Sequence, residues 1–423
     1  MQAVQDRRPR KGMWSVLLAG CLAVCPLAGT ASEPFRWSYL ESVKEAEVAV
    51  GGPGVFAQLE AMQPAQRAAI LEEKRGVIDL LMNMRSLTGD AVGTAQAALW
   101  FEIANDRPAK YAAHSGKPLE SAASEDALQA IVREARHRQI VILNEAHHVP
   151  LHRVFASRLA AELKKIGFEY LAAETFAKTI PSRPATVTTD MGFYLKEPMY
   201  AEFLRSAARD GWSFVGYDHV EADSLLEREI GSARNIVEKV FARNPKAKLF
   251  MYVGYGHAMK QQAVNANDWK SVATLLREQL GTEPLTIDQA TMYGRGDART
   301  DHPQYRVAMQ RFSPSKPIVL KAASGGYATI GLRPGSFDMQ VFHPDETKLT
   351  KEGRPLWIER QAGLKPRPVP AKLLPASGRR LVQAFHAGDG AGAVPADQVM
   401  VEAGKPAPSF MLPEGEFRFD YEE

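Results

Sequence analysis

The sequence predicts an α/β fold in which a mainly parallel sheet is flanked by helices, followed by a smaller antiparallel β domain at the C-terminus. Two observations predict the parallel sheet. Gln139–Leu143 is short, apolar and rich in β-branched residues, and strand-like segments alternate with helix-like segments between residues 138 and 257. From residue 316 onwards, short apolar runs alternate with turns rich in glycine and proline, which predicts the antiparallel domain.

The first 32 residues have the organisation of a secretory signal peptide. Basic residues at positions 7–11 precede an apolar run from Met13 to Gly29, and small residues follow at positions 30–32. We therefore expect a periplasmic or secreted protein that is cleaved near Ala31. The alternative is a lipoprotein attached to a membrane, because Leu18–Cys21 fits a lipoprotein cleavage box in which Cys21 would carry the lipid anchor.

Charge and cysteine content exclude several kinds of site and partner for the expected mature chain. Both cysteines, Cys21 and Cys25, lie in the leader, so disulfides, zinc-thiolate sites and cysteine nucleophiles are not expected after cleavage. Residues 1–32 hold four basic residues and one acidic residue, and removing these from totals of 52 and 49 leaves 48 of each. Such a balance predicts no nucleic-acid partner. After the leader, no stretch is long and apolar enough to predict a transmembrane segment.

Three regions are predicted after the leader. Residues 33–130 should be a helical N-terminal region, since Gln58–Ser86 alternates apolar and charged positions at helical spacing, and we find no chemical motif there. The α/β domain should cover residues 131–315 and the β-rich domain residues 316–423. Within the latter, the proline-rich Leu364–Pro375 is predicted to be an extended connection.

Four strands and three helices are predicted in the α/β domain. The first helix follows the first strand and carries an apolar stripe from Phe155 to Ile166, and Gly167 ends it. Strands that alternate with helices predict parallel βαβ units with right-handed crossovers. The predicted strands are Gln139–Leu143, Tyr170–Ala173, Trp212–Tyr217 and Lys248–Val253, and the later helices are Glu197–Asp210 and Leu225–Val240.

Carboxylate and imidazole side chains follow all four predicted strands. The carboxyl ends of parallel strands meet at one edge of a sheet, where ligands bind in open α/β folds. We therefore expect these residues to form one cleft, and five of the ten histidines, the fifth being His152, fall in or just after these short turns. The residues are Glu145, His147 and His148 after the first strand, Glu174 after the second, Asp218 and His219 after the third, and His257 after the fourth.

These residue types suit two kinds of chemistry. Imidazole and carboxylate together bind divalent ions such as Zn²⁺ or Mn²⁺, which can activate a bound water, and the candidate ligands are Glu145, His147, Glu174 and His257. Alternatively, a histidine acts as a general base while a carboxylate holds it in one tautomer. The candidate catalytic residues are the same four together with His148. A Gly-x-Ser-x-Gly elbow does not accompany them.

Residues 138–262 resemble a known superfamily. Ile142–His152, the amphipathic helix that follows and Tyr170–Glu174 resemble the opening unit of the superfamily that contains ChaN-type haem-binding lipoproteins, erythromycin esterases and the TraB/Tiki proteins. Arg228–Ile236 and Tyr252–Ala258 are similar to its later helix and its last strand-histidine motif. The resemblance implies a ChaN/erythromycin-esterase-like sheet and a cleft lined by glutamate and histidine.

The resemblance also assigns individual residues. Glu145 and Glu174 match the paired acids of the superfamily, and His257 matches its late histidine. The spacing in the esterases selects His148 as the early histidine, whereas the spacing in the haem-binding members selects His147. Asn144 stands where the superfamily has glycine.

Together these observations predict an exported hydrolase that acts on an ester or amide bond of a small molecule or peptide, with or without a divalent metal ion. Arg228, His219 and Tyr255 are the candidate substrate-binding residues. The alternative is a protein that binds haem or a metal ion without turnover; the haem would be held non-covalently, with a histidine or Tyr255 as axial ligand. A third hypothesis is an interaction module that binds its partner through the C-terminal β domain.

Overall fold

Eight strands form a central sheet in a computed structural model that describes residues 37–106, 119, 121–260, 269–323, 325–332 and 335–423. The strands are β1 (Ala123–Asp126), β2 (Ile140–Glu145), β3 (Tyr170–Ala173), β4 (Ser213–Val215), β5 (Leu249–Gly254), β6 (Leu285–Met292), β7 (Ile318–Lys321) and β8 (Met339–Phe342). Their order across the sheet is β1-β7-β8-β6-β2-β5-β3-β4. The six strands from β8 to β4 are parallel, and β7 runs antiparallel to both of its neighbours.

Helices cover both faces of this sheet. Alternate residues of β2 point to opposite faces, as in any strand. Val141 and Leu143 therefore pack with the helices of one layer, and Ile140 and Ile142 pack with those of the other. The first layer contains α5 (Ala127–Ala135), α6 (Pro150–Lys165) and α7 (Pro198–Arg209), and the second contains α8 (Leu225–Ile236) and α9 (Val272–Leu280).

The remaining helices come from the segments before β1, between β6 and β7, and after β8. They are α1 (Tyr39–Val50), α2 (Val55–Ala61), α3 (Pro64–Leu87), α4 (Ala91–Ala104), α10 (Pro303–Phe312) and α11 (Trp357–Ala362). A π turn, Val237–Phe241, continues α8, and short 3₁₀ segments cover Tyr194–Lys196, Tyr255–Ala258 and Ala371–Leu373. None of the helices in the described part of the chain is long and apolar enough to cross a membrane.

The boundaries of α6 and α7 follow from local chemistry. Gly167 after α6 and Gly211 after α7 have φ values of 91° and 75°, a region that glycine enters without a steric penalty. The α7 helix begins at Pro198, and the carboxylate of the preceding Glu197 accepts hydrogen bonds from the backbone N–H groups of Met199 and Tyr200. Each of these boundaries agrees with the sequence pattern to within one residue.

Two smaller antiparallel sheets follow the central sheet in the chain. One has three strands in the order β11-β10-β13 and the other pairs β12 with β9. Their bounds are β9 (Lys365–Arg367), β10 (Arg379–His386), β11 (Asp397–Glu402), β12 (Phe410–Leu412) and β13 (Phe417–Glu422). Residues 38–423 together form one compact unit.

The α/β architecture with a mainly parallel sheet and C-terminal antiparallel strands is confirmed, and several details differ. The segments at 318–321 and 339–342, expected in the C-terminal β domain, are β7 and β8 of the central sheet, so the antiparallel part begins at Lys365. Tyr327–Leu332 forms one isolated bridge, between Tyr327 and Lys321, where a strand was expected. The expected signal peptide at 1–32, with Cys21, lies outside the described residues.

Candidate active site

A hydrogen-bonded pair, the buried Glu145 and the partly buried His147, lies at the end of β2. His147 Nδ1 lies 2.9 Å from Glu145 Oε1, and Arg153 Nε donates to the other carboxylate oxygen at 3.1 Å. Arg153 comes from the first turn of α6, is fully buried, and also donates to Glu197 Oε2 at 2.9 Å. Burial by itself would raise the pKa of Glu145, but the charges of Arg153 and His147 hold it below its usual value.

The imidazole of His147 is fixed in place by three neighbours. The ring of Tyr194 stacks on it with a centroid distance of 4.0 Å, and the ring of Tyr255 meets it edge-on at 5.2 Å. The third neighbour is Gly254, the last residue of β5, where a Cβ atom would lie 2.4 Å from His147 Nε2. Only glycine at this position leaves room for the ring.

Glu174 follows β3 and lies beside this histidine. Its Oε1 accepts from Arg228 at 2.8 Å, and its Oε2 accepts from the backbone N–H of Gly254 at 2.6 Å. Burial would raise the pKa of Glu174, but the charges of His257 and Arg228 lower it well below its usual range. Glu174 is therefore an ionised carboxylate at neutral pH.

A second histidine, His257, forms a pair with Glu229 on α8. Its Nδ1 is hydrogen-bonded to Glu229, whose other oxygen accepts from the backbone N–H of Val272, and its Nε2 lies 3.5 Å from Glu174 Oε1. Burial would lower the pKa of His257, but Glu174 and Glu229 raise it to about 9. His257 is consequently a cation at neutral pH, and its side chain is 19% exposed.

The two glutamate–histidine pairs meet at Gly254. A Cβ atom placed there would be 2.4 Å from His147 Nε2 and 2.9 Å from Glu174 Oε2, so these two atoms are no further apart than the sum of those distances. Glu145, His147, Glu174, His257 and Glu229 are therefore neighbouring side chains at the ends of β2, β5 and β3. Arg153 and Arg228 flank them on the two sides.

Of the predicted site residues, Glu145, His147, Glu174, His257, Arg228 and Tyr255 are thus brought together. His148 is not: its ring lines a separate cavity. The ring of His219 packs against α8, where a Cβ on Gly231 would lie 2.5 Å from it, and its neighbour Asp218 is the residue that binds Arg228, at 2.9 Å.

Several residues of the site carry no sequence signal that we recognised. Arg153 and Glu229 sit on helices, where charged residues usually face solvent, yet they are 0% and 1% exposed. Asp79 on α3 lies close enough to His147 for the imidazole to affect its pKa, although burial, the larger influence, raises it above the usual value. The N-terminal helical region, which has no chemical motif, therefore supplies an acid to this neighbourhood.

The backbone beside the site is strained at one residue. Tyr255 has a φ of 38°, a region that residues with a Cβ rarely adopt and that costs about 1–3 kcal/mol. The side-chain amide of Asn144 holds this turn, because it donates to the carbonyl of Tyr255 at 3.0 Å and to Asp288 of β6 at 2.8 Å. Asn144 itself lies inside β2 and has no positive φ.

The same residues do not form a ready metal site. Within the described ranges, no three histidine, cysteine, aspartate or glutamate side chains are grouped so that they could hold a metal ion. Glu145 and Glu174 each accept from an arginine, and a guanidinium repels a divalent cation at the same oxygen. The arrangement therefore fits a polar organic ligand better than a metal ion, and a metal-ligand role for Glu145, His147, Glu174 and His257 stays a prediction.

Comparisons with known proteins add little to this description. No family model matches the sequence, and no curated protein matches it significantly. Three solved structures, two described as bacterial protein toxins and one as RRSP, a MARTX toxin effector domain from Vibrio vulnificus CMCP6, are 13%, 15% and 14% identical, each with a TM-score of 0.27. They align with 54% of this chain, which spans less than half the length of each, and the likeness is too weak to support an argument.

Proposed function

We propose that the protein is an exported hydrolase that uses His147 as a general base and His257 as a proton donor to cleave an ester or amide bond. The observation that carries the proposal is the pair of imidazoles with opposite surroundings on the two sides of Glu174. In the proposed reaction, His147 accepts a proton at Nε2, while His257, between the carboxylates of Glu174 and Glu229, holds a positive charge. Hydrolysis by acid–base catalysis needs both states at the same time.

His147 has the geometry of a general base. Glu145 is ionised and accepts hydrogen bonds only, so it holds the proton of His147 on Nδ1 and leaves the lone pair on Nε2. Arg153 fixes the carboxylate from its other side. A water molecule beside Nε2 would lose a proton to His147 as it attacks a carbonyl carbon.

His257 has the complementary role. Its Nδ1–H is held by Glu229, while its Nε2–H faces Glu174 at 3.5 Å, a distance too long for a strong hydrogen bond. This N–H can therefore turn to a substrate oxygen. There it would stabilise the negative charge that develops on the carbonyl oxygen, or protonate the leaving group.

Glu174, Arg228 and Tyr255 complete the proposed site. Glu174 keeps His257 protonated and accepts from Gly254, so its orientation is set by β5. Arg228 bridges Glu174 and Asp218, which makes it a positioning residue for the acid. Tyr255 is 37% exposed and forms part of the site's surface, where it can contact a substrate.

The resemblance to erythromycin esterases supports an ester or lactone as the bond that is cleaved. The alternative, binding of haem or a metal ion without turnover, has less support from the contacts, because Arg153 and Arg228 occupy oxygens that would serve as ligands. Export rests on the leader alone.

The proposal is tested with His147→Gln, compared with His137→Gln at an exposed histidine outside the site. We expect the wild type to hydrolyse at least one member of a panel of p-nitrophenyl esters, macrocyclic lactones and peptides. His147→Gln should lower kcat/KM by about 10²–10⁴-fold, the usual size of a general-base contribution, and His137→Gln should not. A wild type that is inactive on the whole panel, or a His147→Gln enzyme with full activity, would contradict the proposal.

A further inference from the structure

A cavity of about 170 Å³ lies on the other side of the turn that carries the two adjacent histidines. Its wall includes His148 and is formed by α4, the start of α6, the start of α7 and α11. The residues of the candidate active site, Glu145, His147, Glu174 and His257, do not line it. The cavity is therefore a second, separate space, and a ligand could bind there whether or not the protein is a hydrolase.

The wall of the cavity is mostly apolar. Its apolar part comes from several elements that are far apart in sequence, so the space exists only in the folded chain. An engineered apolar cavity of about 150 Å³ in another protein is large enough to bind benzene. The apolar side chains include Ala98, Leu151, Pro198, Met199, Trp357 and Ile358.

His148 contributes a buried polar atom without a hydrogen bond to this wall. The side chain is 6% exposed, and its Nδ1 has no hydrogen-bond partner among the described residues. A buried polar group without a hydrogen bond costs about 1–3 kcal/mol, and native proteins seldom tolerate one. Burial favours the neutral form of an imidazole, and the neutral ring offers one donor and one acceptor.

The charges in the wall argue against an ionic ligand. Four carboxylates and two guanidiniums line the cavity, and two further guanidiniums, of Arg153 and Arg360, pair with these carboxylates, so an anion would meet no net positive charge. Three of the four carboxylates are already paired with arginines, which leaves a cation little to gain. These pairs are Glu197 with Arg153, Asp397 with Arg354, and Glu346 with Arg360.

We propose that this cavity binds a small, uncharged, mainly aromatic or aliphatic molecule that carries one hydroxyl group, with the hydroxyl bonded to His148. The apolar wall takes the hydrocarbon part of the ligand, and the neutral imidazole takes the hydroxyl. Such a ligand satisfies the buried ring and leaves the ion pairs of the wall in place.

The experiment follows the ¹³C-methyl signal of Met199, which lines the cavity, during titration of the purified protein with phenol, benzene and benzoate. We expect phenol to shift this signal saturably and to bind about threefold to tenfold more tightly than benzene, the value of one hydrogen bond. Benzoate should not bind in the same range. The signal of Met251, buried in the other layer, serves as the internal control.

Two variants localise the binding. Ala98→Leu fills the cavity and should weaken phenol binding at least about tenfold, whereas Ala69→Leu, at an exposed position on α3, should not change it. His148→Phe should abolish the preference for phenol over benzene while benzene still binds. If Ala98→Leu does not fold, the three probes and His148→Phe still decide the outcome.

The proposal fails if neither phenol nor benzene shifts the Met199 signal up to about 10 mM. It also fails if benzoate binds as well as phenol, or if a folded Ala98→Leu binds phenol as the wild type does. Retention of the preference for phenol in His148→Phe would show that His148 does not bind the hydroxyl, and would overturn that assignment.

Discussion

Two consecutive histidines at the end of β2 have opposite surroundings. His147 is hydrogen-bonded to the carboxylate of Glu145 and lies near Glu174 at Gly254, among charged side chains that form ion pairs with one another. His148 lines a mostly apolar cavity, and its Nδ1 is buried without a hydrogen bond among the described residues. Because the side chains are identical, the difference teaches that the fold, through the elements packed on each side of the turn, decides which imidazole is suited to proton transfer.

Among the predicted effects, the largest should come from replacing Arg153, which holds Glu145 beside His147. Arg153→Met should remove the cation that Glu145 and Glu197 share and leave two carboxylates buried without it. Breaking a buried pair in this way costs about 3–5 kcal/mol of unfolding free energy, measured by urea denaturation. Arg299→Met, at an arginine whose side chain is 46% exposed, should cost less than about 1 kcal/mol. Equal losses for the two variants would show that Arg153 does not have the structural role we assign to it.

Two buried histidines, His148 and His343, should lower the stability of the protein in acid. The pKa of His148 and that of His343 are both lowered to about 3 by burial, so protonation is favoured in the unfolded chain. The stability that depends on these rings being neutral is complete above the unfolded pKa of about 6.5. It is lost as the pH falls towards 3, because the unfolded chain takes up the protons first. Each histidine should lower the free energy of unfolding by about 1.4 kcal/mol per pH unit in that range.

His148→Phe isolates one of these contributions. Urea denaturation between pH 4 and pH 7 should give a shallower pH dependence for the variant than for the wild type, since phenylalanine fills the same space and does not titrate. Parallel curves for the two proteins would mean that His148 is protonated as easily when folded as when unfolded.

His257 in the active site should give the opposite pH dependence of the free energy of unfolding. The pKa of His257 is raised to about 9 by Glu174 and Glu229 against the effect of burial, so its charge stabilises the folded state. This contribution is complete below about pH 6.5 and is lost as the pH rises through 9, a change of about 3 kcal/mol. Hydrolysis should also decline above pH 9, when the Nε2 proton is gone.

His257→Gln should flatten the alkaline part of the curve of stability against pH relative to the wild type. This comparison separates the effect of His257 from that of other groups that lose protons in alkaline solution. Activity that stays constant to pH 10 in the wild type would remove His257 from its proposed role as proton donor.

The sequence predicts one half of this site well and the other half poorly, for a physical reason. Residues at the ends of parallel strands must share an edge of the sheet, so Glu145, Glu174 and His257 were expected to be neighbours and are. The orientations of the His147 and His148 side chains depend on packing against segments that are distant in sequence. The local sequence pattern therefore cannot predict them. Nor does it reveal that Glu229, on a helix with a charged surface pattern, points inward.

The strand β6 was missed for a related reason. It lies beside β2 in the middle of the sheet, yet Thr286, Asp288 and Gln289 interrupt its apolar pattern. These polar residues are buried because the side chains of Asn144, Gln340 and Asp338 satisfy them with hydrogen bonds. A pattern of hydrophobicity cannot show polar groups that are paired only after folding.

Asn144 gives the last and smallest test, because it joins this strand to the turn that carries the histidines. The resemblance places glycine at this position, but Asn144 is in extended backbone and its amide bonds Tyr255, Asp288 and the backbone of Gln289. Asn144→Gly should therefore destabilise the protein by about 1–2 kcal/mol, through lost hydrogen bonds and a more flexible unfolded chain, measured by urea denaturation. Asn244→Gly, at a turn where the asparagine side chain accepts from the backbone N–H of Lys246, provides the matched control. If Asn144→Gly were as stable as the wild type, the strained turn at Tyr255 would be held by β5 alone, and the surroundings of the two histidines would not depend on the link to β6.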